Sequence, residues 1–341
     1  MQEDPANEAA AITALRIALD ERQLSVEEAQ ALVGDYFKTA PDGTPDERLA
    51  ALVPLIDGHP GDGGALVAVV CGAMVEQGAS PESLIGPAIA GLITTLDEPE
   101  ESPSQALTMW SMAVAAVLQR SPEVRRQVRE DTAFVDLLTV RQGEHPVDCV
   151  LYAAMLLEHE RMLVLHPETR RGFWIDVDGV ADNFQLHTLL AAALIGDPRQ
   201  GWLEGTPPTA AQVRALTDPQ VSPECKVDKG WFNLVNWTGF PFIGQPASLQ
   251  HSHHWIWNEG MPADIIPFEG TRVIVLDRPP YARSWNAGRF LPAVPASVTV
   301  TGKLTPSDYD AWEARIGAAA GGIPTMATEP PKRGFFGLRR R

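Results

Sequence analysis

The chain has 341 residues, 45% hydrophobic and 21% charged, a balance that suits compact folding and excludes an extended disordered chain. Its formal charge is −17, and five cations among the last eleven residues leave −22 on residues 1–330. A body so acidic repels phosphate backbones, which excludes nucleic acid as the expected partner.

At about 150 residues per domain, the length suggests two folded units. The first reads as all-helical. Ser or Thr followed by Pro supplies a capping oxygen and then a residue already set at helical φ, and Thr44-Pro45, Ser80-Pro81, Ser102-Pro103 and Ser121-Pro122 all fit. Ser25 with Glu28, Thr44 with Glu47 and Ser102 with Gln105 complete capping boxes. Apolar residues recur at helical spacing between these caps, predicting helices over 7–22, 26–39, 45–56, 63–77, 81–96, 103–119 and 122–141. The steps of 22 residues from Ser80 to Ser102 and 19 from Ser102 to Ser121 resemble, in period alone, the stacked hairpins of HEAT or armadillo repeats. An irregular bundle fits equally well.

Around Val150 the pattern changes. Residues 162–165 and 172–177 read as strands joined by a hairpin loop, 184–195 as a helix, and Thr209 with Gln212 as the cap of a short one. Residues 272–276 and 296–301 are strand-like, and Thr305 caps a helix running to about Ile316. Strands mixed irregularly with helices predict an α+β unit. The expected organisation is therefore a helical array or bundle over 1–150, a smaller mixed α+β domain over 151–316, and a linker with a basic tail over 317–341. In the tail, Phe335, Phe336 and Leu338 alternate with Lys332, Arg333, Arg339, Arg340 and Arg341, a composition that could dock into an acidic groove or touch an anionic membrane.

Cys71, Cys149 and Cys225 have no short spacing, which argues against a disulfide framework or a zinc knuckle and suits reduced thiols in the cytoplasm. No run reaches the ~18 apolar residues of a spanning helix, and the first residues lack the pattern of a signal peptide. A cytoplasmic protein is expected.

The richest chemistry lies between Gly230 and Gly260, where Trp231, Trp237, Trp255 and Trp257 accompany His251, His253 and His254. Further on, Arg283, Trp285 and Arg289 stand in an irregular stretch with Asp277, Arg278 and Tyr281. Trp, Tyr and Arg dominate binding hot spots. The leading expectation is thus a non-enzymatic interaction or recognition protein with another protein as partner and no cofactor, binding through Trp231, Trp237, Trp255, Trp257, Arg283, Trp285 and Arg289.

The rival expectation is a metal-dependent hydrolase. On a strand, His251 and His253 would project to one face and could share zinc. Asp176-Val177-Asp178-Gly179 after an apolar strand resembles the first motif of haloacid-dehalogenase-type phosphohydrolases, over some ten residues of this chain. The resemblance implies Asp176 as nucleophile, Asp178 as general acid, and magnesium. Val180 stands where that motif most often has Thr, and the nearest later Gly-Asp is Gly196-Asp197, too close for the family's acidic metal motif. His159-Glu160 begins a zincin motif, but residue 163 is Leu. The Gly-rich stretch 58–64 lacks the Lys-Ser/Thr of a phosphate loop and reads as a turn before a helix.

Overall fold

The computed structural model describes residues 5–20, 24–39, 43–97, 105–141, 143, 145–245 and 249–321. The chain divides into two compact units, Met1–Ala154 and Met155–Arg341, and the fold is α+β with the helical part first. The basic residues 332–341 and the Ser102 cap lie outside the described residues.

The first unit carries α1 (Pro5–Asp20), α2 (Val26–Thr39), α3 (Pro45–Leu52), α4 (Asp62–Glu76), α5 (Glu82–Leu96), α6 (Gln105–Arg120), α7 (Pro122–Glu130), α8 (Thr132–Val140) and α9 (His145–Ala154). Thr44 and Glu47 close their capping box, Ser25 and Glu28 do the same, and Ser121 accepts from the Val124 N–H. Ser80 does not cap: its hydroxyl goes to the Glu82 carboxylate, and α5 starts one residue later than expected. The single helix expected over 122–141 is two. Asp131 leaves helical geometry at ψ 82° to close α7, and its carboxylate accepts from Phe134 N–H to start α8.

α6 is the core of this unit, packed against α4, α5 and α9, so the helices surround one central rod instead of stacking in line. Small residues allow the approach. A Cβ on Gly72 would meet Ala113 and Ala116, and one on Gly91 would stand 2.5 Å from the Trp110 ring. Trp110 is fully buried, and its indole N–H donates to the Pro60 carbonyl at 2.7 Å.

The second unit opens with β1 (Glu160–His166) and β2 (Arg171–Asp178), joined by a turn in which Arg170 takes a left-handed φ of 52°. α10 (Asn183–Leu194) and α11 (Ala210–Thr217) follow, then β3 (Glu224–Val227), β4 (Asn233–Asn236), β5 (Pro267–Phe268), β6 (Thr271–Asp277), β7 (Trp285–Gly288), β8 (Ser297–Lys303) and α12 (Pro306–Gly321). The sheet runs β4-β6-β1-β2-β8, with β5 also on β6; β1 and β6 are parallel and the other pairs antiparallel. β3 and β7 form a separate pair.

Side chains alternate across the sheet. Met162, Val164, Phe173, Ile175 and Ile274 face α10, while Leu163, Leu165, Val273 and Val275 face Tyr309, Ile316 and the 3₁₀ helix Trp237–Phe242. β1 is therefore covered on both sides, which explains its unbroken apolar run. Arg170 pins α12 through Asp310 and Glu313. The helix continues to Gly321, so the first five residues of the expected linker are helical. No helix among the described residues is long and apolar enough to cross a membrane.

Candidate functional site

β4 lies at one end of the sheet, and the chain leaving it folds back over its own outer edge. It turns through the 3₁₀ helices Trp237–Phe242 and Leu249–His254, then pairs Trp255 with Val235 and donates from Ile256 N–H to the Leu234 carbonyl at 2.8 Å. Asn236 holds both ends of this excursion: its carbonyl oxygen accepts from Ile266 N–H at 3.0 Å and its amide donates to the His254 carbonyl. Gly239 sits where a Cβ would meet Val235 at 2.5 Å and His254 at 2.7 Å. Only glycine lets the loop close this tightly.

Between this loop and the end of β6 lies a cavity of about 180 Å³, lined among others by Asn233, Phe242, His251, His254, Trp255 and Asp277. A neighbouring hollow of about 360 Å³ shares Asp277 and Arg278 and reaches His166 and Glu168. Asn233 and Asp277 are direct partners in the β4–β6 ladder, so both side chains stand on one face, side by side. The Asp277 carboxylate accepts from Gly244 N–H at 3.2 Å and Arg278 N–H at 2.8 Å through the same oxygen, Oδ1. Arg278 turns away onto Glu168 in a two-pronged ion pair that holds that carboxyl below its usual range.

Two imidazoles here, His254 and His166, carry no charge at neutral pH. His254 is pushed down to about 4, first by burial and then by His253 and His251, and its Nδ1 meets the Thr238 hydroxyl at 2.9 Å. Burial also lowers His166. With Asp277 and Glu168 against Arg278, the two hollows hold one net negative charge. Asn233 is only 4% exposed as a residue and its side chain makes no hydrogen bond among the described residues, but its amide is not fully shielded; the His251 Nδ1 is both shielded and without a partner. His251 lies flat against Phe242, ring centroids 3.8 Å apart.

The expected binding residues scatter. Trp255 lines the cavity, and the neighbouring Trp257 is 46% exposed. Trp237 packs on Phe268 under α12. Trp231 and Trp285 flank the α10 side, where Trp231 donates to the Thr206 carbonyl at 2.7 Å and Arg283 to that of Phe232. Arg289 is 4% exposed, and its guanidinium serves the carbonyls of Ala215, Val221 and Pro292. It holds α11 in place, with three of its five donors spent on these carbonyls.

The hydrolase elements do not assemble. His251 and His253 are on a 3₁₀ helix, whose three-residue turn puts His251 and His254 on one side and leaves His253 exposed. Asp176 pairs with Arg161, and Asp178 with His159 and Ser297, on β2, with β1 and β6 between them and the cavity. Among the described residues no group of three His, Cys, Asp or Glu side chains could hold a metal ion. Burial pushes the Cys71 thiol up to about 12 and raises Cys149 and Cys225, so none is an activated nucleophile.

Asn233, Phe242 and Gln245 are site residues the sequence reading passed over. The one signal was an asparagine inside the apolar run Phe232-Asn233-Leu234-Val235, a polar group at a position that burial would strand.

A second polar group is buried near the aromatic cluster. His187, fully buried, accepts from Phe232 N–H and faces Asn258, and burial with the nearby Arg283 pushes it down to about 3. The unfolded chain takes up that proton below pH 6.5 while the folded one refuses it until about 3, so this contribution weakens as pH falls across that window. Asp182, the N-cap of α10, opposes it, being raised to about 7 by burial. The isolated effect is expected in a difference: urea unfolding of native protein against His187→Phe should shift in the variant's favour by about 1.4 kcal/mol per pH unit between 6 and 4. A pH-independent difference would show that the folded imidazole carries the proton.

Comparison with protein-family models, with curated proteins and with solved structures finds no match.

Proposed function

We propose that this chain is a recognition protein that binds a partner non-covalently through the cleft between β4, its covering loop and the end of β6. The helical unit is its scaffold. The observation that carries the reading is the Asn233 amide, which lines the cleft on a residue only 4% exposed and makes no hydrogen bond among the described residues, beside its ladder partner Asp277. An accessible amide with no protein partner, on a residue otherwise buried, is a group that a ligand can bond without breaking a bond of the fold. Ring faces from Phe242 and Trp255 add the apolar wall that binding sites combine with a few placed polar groups. The free thiols suit a reducing, cytoplasmic setting.

A ligand-free test follows. Asn233→Leu keeps the heavy-atom count and removes the amide, so the melting temperature should not fall by the roughly 2–4 °C that a loss of about 1 kcal/mol produces. A fall of that size would mean the amide serves the fold, and the recognition reading would fail.

A further inference from the structure

We infer that the cleft takes the guanidinium of an arginine side chain, and that its occupant is the basic segment 332–341 of this same chain. This deepens the recognition reading and rests on it. The cleft wall offers acceptors: the Asp277 carboxylate, whose two backbone bonds both use Oδ1, and the Asn233 carbonyl oxygen one strand away on the same face. A planar cation with five donors can bridge an Asn–Asp pair in one plane and lie against a neighbouring ring. Phe242 and Trp255 supply such rings. The cation already present does not compete, because Arg278 is engaged by Glu168. A lysine ammonium would satisfy the carboxylate but could not span both acceptors in one plane.

Three observations select the occupant. Residues 332–341 hold five cations, three of them the arginines 339–341, opposite a cleft of net negative charge. α12 packs on the 3₁₀ helix Trp237–Phe242, which forms one wall of the cleft, so the chain beyond Gly321 starts on the cleft's own face of the sheet. Residues 322–338 can span up to about 60 Å. A tethered segment acts at millimolar effective concentration, so it would cover the cleft against any other arginine-bearing partner.

The test is calorimetric titration of a synthetic 332–341 peptide into the full chain carrying Arg339→Ala, Arg340→Ala and Arg341→Ala. The expected result is saturable binding, weakened about tenfold in the unsubstituted chain, where the tethered copy competes. Lysine in place of arginine in the peptide, or Asn233→Leu in the protein, should each cost about tenfold, and Asp277→Asn, which keeps the shape and removes the charge, should do the same. Absence of binding, equal binding by the lysine peptide, or binding indifferent to Asn233→Leu and Asp277→Asn would each overturn the assignment. The melting temperature of Asn233→Leu separates the two failures: no fall with no peptide binding keeps the cleft as a site for another ligand, and a fall removes both readings.

Discussion

Arg289→Ala is expected to lower the stability of the second unit by about 3–5 kcal/mol, the range for stranding several buried acceptors and opening a void around them. The carbonyls of Ala215, Val221 and Pro292 all turn to this guanidinium, and water cannot replace it at a position only 4% exposed. Burial lowers its pKa, yet an arginine stays charged, so the carbonyls act as its solvation shell. Eight of the nine tryptophans lie in this unit, which makes urea unfolding followed by tryptophan fluorescence a direct readout. A loss below about 1 kcal/mol would mean the arginine reaches the surface in solution and regains its place as a contact residue.

Trp110→Ala should cost the helical unit a similar ~3–5 kcal/mol. Its ring is the largest fully buried side chain among the described residues, wedged where Gly91 admits it, and its N–H is bonded to the Pro60 carbonyl. Removing it opens a hole between α5 and α6 that the rigid helix backbones cannot close. Helical circular dichroism during urea unfolding measures the loss. Gly91→Ala, which pushes a methyl into the same ring, should cost about 1–3 kcal/mol from the opposite cause. If both variants unfold with the native midpoint, the α5–α6 packing described here is wrong.

The helical unit was largely legible because its signals are local. Capping boxes at Ser25 and Thr44 need only four residues, and they sit where expected. The break at Asp131 shows in the spacing only as a lost phase: Val124 and Val128, then Phe134 and Leu138, are each four apart, but six residues separate Val128 from Phe134. The second unit was legible only where a strand is long. β1, β2, β6 and β8 could be read, whereas β3, β4 and β7 are four residues each and depend on partners far away in the chain. The parallel pairing of β1 with β6 joins segments some hundred residues apart, which no local pattern encodes.

The site was less legible still, because rings and arginines were read as surface. Trp237 and Arg289 instead serve the interior, since aromatic area is the first to be buried and a long arginine can solvate loop carbonyls. The histidine run was placed on a strand, and the 3₁₀ turn that replaces it swaps His253 for His254 as the companion of His251. What marked the cleft was a polar residue in an apolar run, Asn233, and its meaning depended on the cross-strand neighbour Asp277.

The most direct measurement is a crystal structure of the full chain at neutral pH, refined well enough to place side-chain amides and ordered water. A guanidinium is expected between Asn233 and Asp277, within hydrogen-bond distance of both and flat against Phe242 or Trp255. Asn233 bonded instead to its own protein neighbours, with the cavity closed over it, would contradict the claim that this cleft is built for recognition.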